Sequence, residues 1–368
     1  MSASAIGARI KARREELGFS QEAVAGHFGF NVRQTLSAIE TGERRVTAEE
    51  LLKAAEVLAA PLDYFTDPFL LAGEGRFSWR QAGIASKALD GYERDAGRLI
   101  ATIRTLGAQL GRKPPLLRRT LGLSKTSSYE DAAAAGERFA AEFQLGAAPA
   151  LRLGDAMERE LGILVLMVDA IPGVSGAACH LPELDAVLIN RKEVPSRRHY
   201  DLAHELFHIL TWDAMPPERL EDTRGPIRGR VEQLADTFAG ALLMPSAALE
   251  PFGAWTGLDE DDLAAKLNDA AEVLGVTSVA LKWRLVAVGP LPKAAALAVD
   301  DAKLRHNGRP DARRPLPPLF SRAFAQLLAE ALDAGKLSAR RAASLLSLAI
   351  DDLAAVFAAH GVAVAVDL

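Results

Sequence analysis

The stretch 197-RRHYDLAHELFHIL-210 decides how the rest of the chain is interpreted. It places His204 and His208 four residues apart, with Glu205 next to the first histidine. On an α-helix, residues four apart lie one turn above one another on the same face, so both imidazoles can reach one metal ion. Glu205 then lies where it can take a proton from a water molecule. The alternative is an ordinary amphipathic helix that happens to hold two histidines.

A third ligand decides between these interpretations, because a catalytic zinc site has three protein ligands and one open position. The downstream stretch 231-VEQLADTFAGALLMP-245 predicts a second amphipathic helix, with Glu232 and Asp236 on one face. Glu232 can be the third ligand, and Asp236 can accept the free N–H of a ligand histidine and fix its tautomer. Two solvated carboxylates are the alternative, which the upstream histidine pair disfavours.

Three stretches resemble the ImmA/IrrE family of metallopeptidases, and HExxH followed by Glu-x-x-x-Asp is similar to the gluzincin type. The stretches are 186-AVLINRKEVPSRRHYDLAHELFHIL-210, 232-EQLADTFAGALLMP-245 and 273-VLGVTSVALKWRL-285. The resemblance covers residues 129–290 and implies a zincin-like domain with a small sheet. It also implies that the histidine pair and Glu232 bind Zn²⁺ and that Glu205 is the general base.

Phe207 is a departure from that family, which usually has glycine at this position. We expect its ring to flank the metal face and to narrow the cleft. Peptide hydrolysis also needs a donor for the oxyanion, and the polar candidates nearest in sequence are His180, His199 and Tyr200, for each of which a structural role is the favoured interpretation. Cys179 can be a fourth soft ligand, although a buried thiol on a strand is the favoured interpretation.

The N-terminal stretch 18-GFSQEAVAGHFGFNVRQTLSAIETGERRVTAEELLKAAEVL-58 predicts two short helices joined by a glycine-containing turn. Ser20 is a suitable N-cap for the first helix, which Gly29 ends, and the second helix runs from about Val32 to Glu40. This arrangement is typical of a helix-turn-helix, whose second helix reads the major groove. The segment closely resembles the Xre/Cro-type repressor domain, which implies a DNA operator as partner.

The side chains expected to contact DNA are polar or basic and lie on or beside these two helices. They are Gln21, Arg33, Gln34, Thr35, Ser37, Arg44 and Arg45. The first helix adds a basic cluster of Arg9, Lys11, Arg13 and Arg14. Residues 1–65 nevertheless hold eight Lys or Arg and nine Asp or Glu, so we expect weak non-specific binding and dependence on dimerisation. A protein-interaction module of the same shape is the alternative.

The whole chain has 368 residues, of which 49% are hydrophobic and 25% charged, with a net charge of −5. We predict an α+β, mostly helical protein in four segments: a helix-turn-helix domain at 1–66, a helical linker at 67–128, the metallopeptidase domain at 129–290 and a helical C-terminal region at 291–368. The glycine-containing stretch 66–83 is predicted to break the pattern. One cysteine, no secretory signal and no run of membrane-spanning length favour a cytoplasmic protein without a membrane partner.

The predicted linker contains apolar residues that alternate in steps of three and four. They are Leu89, Tyr92, Ala96, Leu99, Ile103, Leu106 and Leu110. Such an a/d stripe can pack on its own chain or pair two chains as a homodimer, and the sequence leaves both possibilities open.

Two functions of different classes follow from these motifs. In the first, the head binds an operator as a dimer and the zinc domain cuts a partner protein, such as a repressor or an antitoxin, in a stress or regulatory response. In the second, the zincin-like domain senses a ligand or partner and cleaves nothing. A third interpretation makes the head a substrate-docking module without a DNA role.

Overall fold

The computed structural model describes residues 3–112, 118–222, 229–309 and 315–365, and its N-terminal region is a group of five helices. They are α1 (Ala3–Glu16), α2 (Gln21–Phe28), α3 (Arg33–Glu40), α4 (Ala48–Val57) and α5 (Leu62–Thr66). The Ser20 hydroxyl accepts a hydrogen bond from the Ala23 N–H at the start of α2, and Gly29, with φ at 78°, ends it. The predicted bounds of both helix-turn-helix elements are therefore confirmed.

A small apolar core holds the five helices together. Its largest members are Ile10, Val24, Phe28, Leu36, Ile39, Leu58 and Phe65. A buried ion pair lies beside it, with Arg14 Nε 2.6 Å from Glu40 Oε1. Because α3 is tied to α1 by this pair and by the core, the exposed side of α3 is held at a fixed angle to the rest of the head.

The arginines of α1 differ from the prediction of a basic cluster that faces DNA. Arg9 is fully buried, and its guanidinium donates to Glu74 and to the Tyr64 and Asp67 carbonyls. Arg13 donates to the Leu58 and Ala59 carbonyls, and Arg14 is paired with buried Glu40. Guanidinium groups bound in this way stabilise the fold and are not available to phosphates. Of that cluster, Lys11 is the exposed member.

A mixed five-stranded sheet forms the centre of the remaining chain. Its strands are β1 (Arg76–Gln81), β2 (Leu164–Val168), β3 (Val174–His180), β4 (Asp185–Asn190) and β5 (Leu220–Asp222), in the order β2-β4-β3-β1-β5. Strand β3 pairs antiparallel with β1 and β4, while β2 and β5 pair parallel with β4 and β1. Strands β2 and β4 match apolar runs of the sequence. Strand β1 lies in the stretch 66–83, which was predicted to break the pattern. The strand was not predicted because its polar residues hide the alternation of a strand.

Both faces of the sheet are covered, which explains why β2 and β4 are nearly continuous apolar runs. On one face, Val187 and Ile189 join a core with α7 (Tyr129–Glu142), α9 (Pro195–Thr211) and α10 (Arg230–Leu243). Residues of four further helices belong to the same core: α8 (Leu153–Glu160), α11 (Ser246–Leu249), α12 (Glu260–Leu274) and α13 (Ser278–Val288). Alternation along β4 sends Ala186 and Leu188 to the opposite face, where a second core forms.

The second core joins α6 (Ser86–Gln109) to three C-terminal helices. These are α15 (Arg322–Asp333), α16 (Ala339–Leu346) and α17 (Ile350–Ala359). Leu89, Ala96 and Leu106 of the heptad stripe are at most 2% exposed and belong to this core. The stripe therefore packs on its own chain, and within the described residues it is not a free dimer seam. The segment 67–128 is more than a linker, since it supplies β1 to the sheet and α6 to the core.

The segment directly after α13 was predicted to begin a separate C-terminal region, but it packs on the core around α9. It holds α14 (Lys293–Ala298) and a 3₁₀ segment, Asp301–Gly308, and its apolar residues Ala296 and Leu304 belong to the first core. Across the described ranges, no single helix is both long and apolar enough to cross a membrane. Helices α16 and α17 meet that test only when taken together, and they are bent by 84°.

Candidate metal centre and DNA-reading helix

Helix α9 brings together the three polar side chains of the HExxH motif. The Nε2 atoms of His204 and His208 are 3.1 Å apart, as expected for residues one turn apart on one helix face. His204, Glu205 and His208 are at most 1% exposed, because α9 lies between the sheet and α10. The histidine pair thus points into the protein, where buried polar atoms need partners.

Helix α10 supplies the two carboxylates that the sequence placed on one face. Glu232 Oε2 lies 3.1 Å from His204 Nε2 and 3.5 Å from His208 Nε2. Asp236 Oδ1 lies 3.0 Å from His204 Nδ1 and accepts its N–H. When a metal replaces the proton on Nε2 and the other proton stays on Nδ1, the Nε2 lone pair of His204 would be directed at the position between His208 and Glu232.

Three further charged residues, which the sequence analysis missed, complete the site. Glu221 on β5 places Oε2 3.4 Å from His204 Nε2. Arg80 on β1 lies 3.2 Å from Asp201 Oδ1 and 3.4 Å from Glu221 Oε1. Asp201 offered a sequence signal, since it lies three residues before His204 on the same face of α9. Arg80 and Glu221 are 141 positions apart, and no local pattern connects them.

The charge around His204 is predominantly negative. Three carboxylates surround its buried imidazole, those of Glu221, Glu232 and Asp236. Burial and the Arg80 guanidinium lower the pKa of His204, but hydrogen bonds with the carboxylates outweigh them and raise it well above its ordinary value. Burial opposes ionisation of Glu232 as well, yet hydrogen bonds with the two histidines hold its pKa well below its usual range. A bound dication would neutralise such a surplus of buried carboxylates.

The donor atoms fit a zinc ion. Those of His204, His208, Glu221 and Glu232 all lie within 4.8 Å of one another. Imidazole nitrogen and carboxylate oxygen are usual zinc donors at about 2.0–2.2 Å, which in a tetrahedron places the donors about 3.3–3.6 Å apart. The separations of 3.1, 3.4 and 3.5 Å around this cluster are close to that spacing. The two remaining separations, those of Glu221 from His208 and from Glu232, are at most 4.8 Å, so the four donors lie close enough together to be candidates for one ion.

Glu205 lies next to the donor cluster and is not one of its members. Burial raises the pKa of Glu205 to about 8, against the opposing charge of His204 and with support from Glu221. Its Oε2 is a buried atom without a hydrogen-bond partner among the described residues. A buried carboxyl with a raised pKa beside a metal centre is suited to accept and return a proton.

The three residues considered as oxyanion donors make other contacts. His180 Nδ1 is 2.8 Å from Asp185 Oδ1, and the ring stacks on Trp212. His199 Nδ1 is 2.8 Å from the Gly275 carbonyl oxygen. Tyr200 donates its hydroxyl to the Asp236 carbonyl at 3.2 Å. These contacts stabilise the helices around the centre, and none of the three side chains is placed among the donor atoms.

Cys179 and Phe207 are core residues. Cys179 is fully buried on the sheet face opposite α9, where burial raises the pKa of its thiol, so the interpretation as a buried strand residue agrees with the structure. Phe207 is fully buried and packs against Phe238, with ring centroids 5.6 Å apart. The Phe207 ring also lies beside the His208 ring, with centroids 5.9 Å apart, so it flanks the histidine pair as expected. The expectation that it narrows the cleft is wrong, because the ring is part of the core and does not line the cleft.

A cleft of about 550 Å³ borders the centre. Arg80, Tyr200 and Asp236 line it on the side of the centre. Its other wall is largely apolar and includes Met244, directly after α10, and Trp283 of α13. Trp283 is 41% exposed. Clefts of this size with a largely apolar wall and a few polar groups are typical of ligand sites.

Helix α3 exposes most of the side chains that were predicted to contact DNA. Arg33 and Gln34 are exposed, and Thr35 and Ser37 are half-buried on the same helix. Arg45, just beyond α3, is exposed as well. These residues are therefore accessible, as a reading helix requires.

Gln21 and Arg44 are engaged in contacts inside the head. Gln21 donates its side-chain amide to Glu40 Oε2 at 2.8 Å, so the phosphate contact expected of Gln21 is not available while this bond is made. Arg44 forms two hydrogen bonds with Glu50, at 2.7 and 2.9 Å, and lies over the Phe30 ring. Arg44 remains partly exposed, whereas Gln21 belongs to the residues that hold α2 to α3.

Two regions of the chain match models of known protein families. Residues 10–65 match a family model described as helix-turn-helix, and residues 160–286 match a peptidase family model described as the IrrE N-terminal-like domain. The second match spans β2 to α13, including both helices of the metal centre. No curated protein matches the chain.

Proposed function

We propose that this chain, which joins an Xre-like helix-turn-helix to an ImmA/IrrE-type peptidase domain, is a cytoplasmic DNA-binding regulator and a zinc-dependent endopeptidase. Its substrate would be a partner protein, such as a repressor or an antitoxin, in a stress or regulatory response. The observation that carries the proposal is the convergence of His204, His208 and Glu232 from two helices, with Glu205 buried beside them.

Each residue of the centre has a separate task in this proposal. His204, His208 and Glu232 hold the metal, and Asp236 keeps the Nδ1 proton on His204 so that Nε2 can bind. When bound, Zn²⁺ supplies Lewis acidity and lowers the pKa of water to about 7. Glu205 accepts a proton from the attacking water at its carboxylate and later gives it to the leaving amine. The cleft lined by Met244 and Trp283 holds an apolar side chain of the substrate.

The DNA-binding part of the proposal rests on α3. Arg33 and Gln34 present donors and acceptors suited to base edges, while Arg45 is placed for a phosphate. A single head with so few free basic residues binds weakly, so a homodimer on a two-fold operator is part of the proposal. Because the α6 stripe is buried in its own chain, that dimer would have to use another surface.

The first experiment is the zinc content per chain after dialysis, for wild type, Glu232→Ala and the control Glu160→Ala, an exposed carboxylate at the end of α8. We expect about one zinc per chain in the wild type and the control, with loss in Glu232→Ala. No zinc in the wild type, even after metal is added, would show that the HExxH stretch is an ordinary helix and that the peptidase proposal is wrong.

Cleavage is tested with Glu205→Gln, which removes the base and keeps the ligands. New protein N-termini are compared in cells that express wild type or Glu205→Gln, together with a reporter of the operator. We expect both the cleaved partner and the reporter response to require Glu205.

The burial of the motif, at most 1% exposed, specifically favours a second candidate: a DNA-binding regulator whose zincin-like domain senses a ligand or partner without proteolysis. An unchanged reporter response in a zinc-loaded Glu205→Gln protein would support this sensor.

A further inference from the structure

A second carboxylate, besides Glu232, faces the histidine pair. Glu221 Oε2 is 3.4 Å from His204 Nε2, about as close as Glu232 Oε2 is to His208 Nε2, at 3.5 Å. Glu221 comes from a strand, whereas the other three donors come from two helices. Catalytic zinc sites have three protein ligands and an open position, while structural sites have four. The position of Glu221 therefore bears directly on whether a water molecule can enter.

The sheet fixes Glu221 at this place. Strand β5 is parallel to β1, and the register pairs Glu221 with Arg80, so both side chains are on the same face as α9. The backbone N–H of Trp79 donates to the Arg219 carbonyl at 2.8 Å, and the Ser78 hydroxyl donates to the Glu218 carbonyl at 2.8 Å. These bonds lie next to Glu221 in the chain and hold the start of β5 against β1.

We propose that Glu221 is a fourth protein ligand of the metal, and that the centre rests in a closed, silent state. This inference rests on the zinc site proposed above. With His204, His208, Glu221 and Glu232 all bound, the tetrahedron has no open position for water. The near-complete burial of the HExxH side chains agrees with a resting centre that a peptide cannot reach.

Arg80 provides the second position for Glu221. Its guanidinium Nη1 lies 3.4 Å from Glu221 Oε1 and 3.5 Å from Oε2, so Arg80 reaches both oxygens of this carboxylate, and its Nε also contacts Asp201. If β5 shifts, Glu221 can leave the metal and remain paired with Arg80, so no carboxylate is left buried without a cation. Strand β5 is suited to such a shift, since it has three residues and lies at the edge of the sheet, where β1 is its strand partner.

The experiment uses the full-length protein loaded with Co²⁺ in place of Zn²⁺, because Co²⁺ reports its coordination through its visible absorption. Azide serves as the probe for an exchangeable position. Wild type is compared with Glu221→Gln and with the control Glu218→Gln, an exposed carboxylate three residues away on the same segment. Metal affinity is measured by competition with a chelator, and thermal unfolding of each apo protein checks that it folds.

In the wild type and in Glu218→Gln we expect a four-coordinate spectrum that azide changes only weakly. In Glu221→Gln we expect metal affinity to fall about tenfold or more, and azide to bind about tenfold more tightly, because a water then occupies the vacated position. Equal azide affinity and equal metal affinity in all three proteins would overturn the proposal and leave the three-ligand peptidase site intact. Strong azide binding to the wild type would by itself overturn the proposal, so the test remains decisive even if Glu221→Gln fails to fold. Absence of metal from the wild type would overturn the zinc site itself.

Discussion

At the scale of single residues, the centre depends on which atom of each side chain carries a proton. His204 binds metal through Nε2 more tightly when its Nδ1–H has an acceptor, and Asp236 lies 3.0 Å from Nδ1 in position to be that acceptor. Glu205 is positioned by the same helix, yet its carboxylate is kept out of the donor cluster. A motif of five residues therefore needs Asp236, from another helix, to become a defined site.

Asp236→Ala is expected to lower zinc affinity by about 10- to 100-fold, because His204 loses the acceptor that fixes its tautomer. Asp236→Asn is the matched control, since its amide oxygen can still accept the N–H, and it should lose much less. Chelator competition measures both. If the Ala and Asn variants bind zinc equally well, Asp236 does not position His204.

In the head, the two glutamines are expected to behave oppositely. Gln21→Ala removes the hydrogen bond to Glu40 and should reduce the free energy of unfolding by about 1 kcal/mol, with DNA affinity of the folded protein nearly unchanged. Gln34→Ala, on the exposed face of α3, should leave stability unchanged and weaken binding to a selected operator by about 1–3 kcal/mol. Chemical denaturation and fluorescence anisotropy test the pair. A large loss of DNA affinity in Gln21→Ala at full folding would contradict this assignment.

At the scale of elements, the close approach of α7 and α10 positions the carboxylate ligand. A Cβ on Gly136 would lie 2.5 Å from the Phe238 carbonyl oxygen and 2.8 Å from the Leu242 nitrogen, both of which are backbone atoms that cannot move aside easily. Helix α10 carries Glu232 and Asp236, so a shift of α10 moves both away from α9. Glycine at this position therefore serves the centre through packing.

Gly136→Ala is expected to destabilise the protein by about 1–3 kcal/mol and to weaken zinc binding at the same time. Gly240→Ala on α10 is the control, because a Cβ there meets nothing within 4 Å and alanine favours the helix. The control should be neutral or slightly stabilising in thermal unfolding. A Gly136→Ala protein as stable as Gly240→Ala would show that the two helices are not in tight contact.

At the scale of the whole molecule, the peptidase region is built from distant parts of the chain. Strand β1 lies between β3 and β5 in the sheet, and it supplies Arg80 to the centre. Helices α6, α15, α16 and α17 cover the sheet face opposite α9. The predicted bounds of 129–290 leave out β1 and these four helices, although they include every predicted metal ligand.

A fragment of residues 129–290 is therefore expected to be unfolded or aggregated, because one face of its sheet is uncovered and β5 has lost its partner strand. A fragment of residues 67–368 keeps β1, α6 and the C-terminal helices, and it should unfold cooperatively and bind zinc. Circular dichroism, chelator competition and limited proteolysis compare the two. Cooperative unfolding of the shorter fragment would show that the predicted bounds describe a self-sufficient domain.

The sequence by itself determined the features that follow from local geometry. The spacing of His204 and His208 sets both on one helix face, and the Ser20 cap and Gly29 turn set the bounds of α2, because each depends on neighbours within a few residues. The pairing of Glu232 with the histidines was predicted by joining two such local patterns. The family matches at 10–65 and 160–286 include these local motifs.

Only the tertiary structure decided which distant residues meet. Arg80 and Glu221 are 141 positions apart, and their register in the sheet, rather than any pattern near either residue, places them against α9. The tertiary structure likewise buries the heptad stripe in its own chain, and it places Arg9 and Arg13 of α1 against backbone carbonyls. Periodicity shows that a face is apolar or basic, but the partner that covers it is selected by the free energy of packing the whole chain.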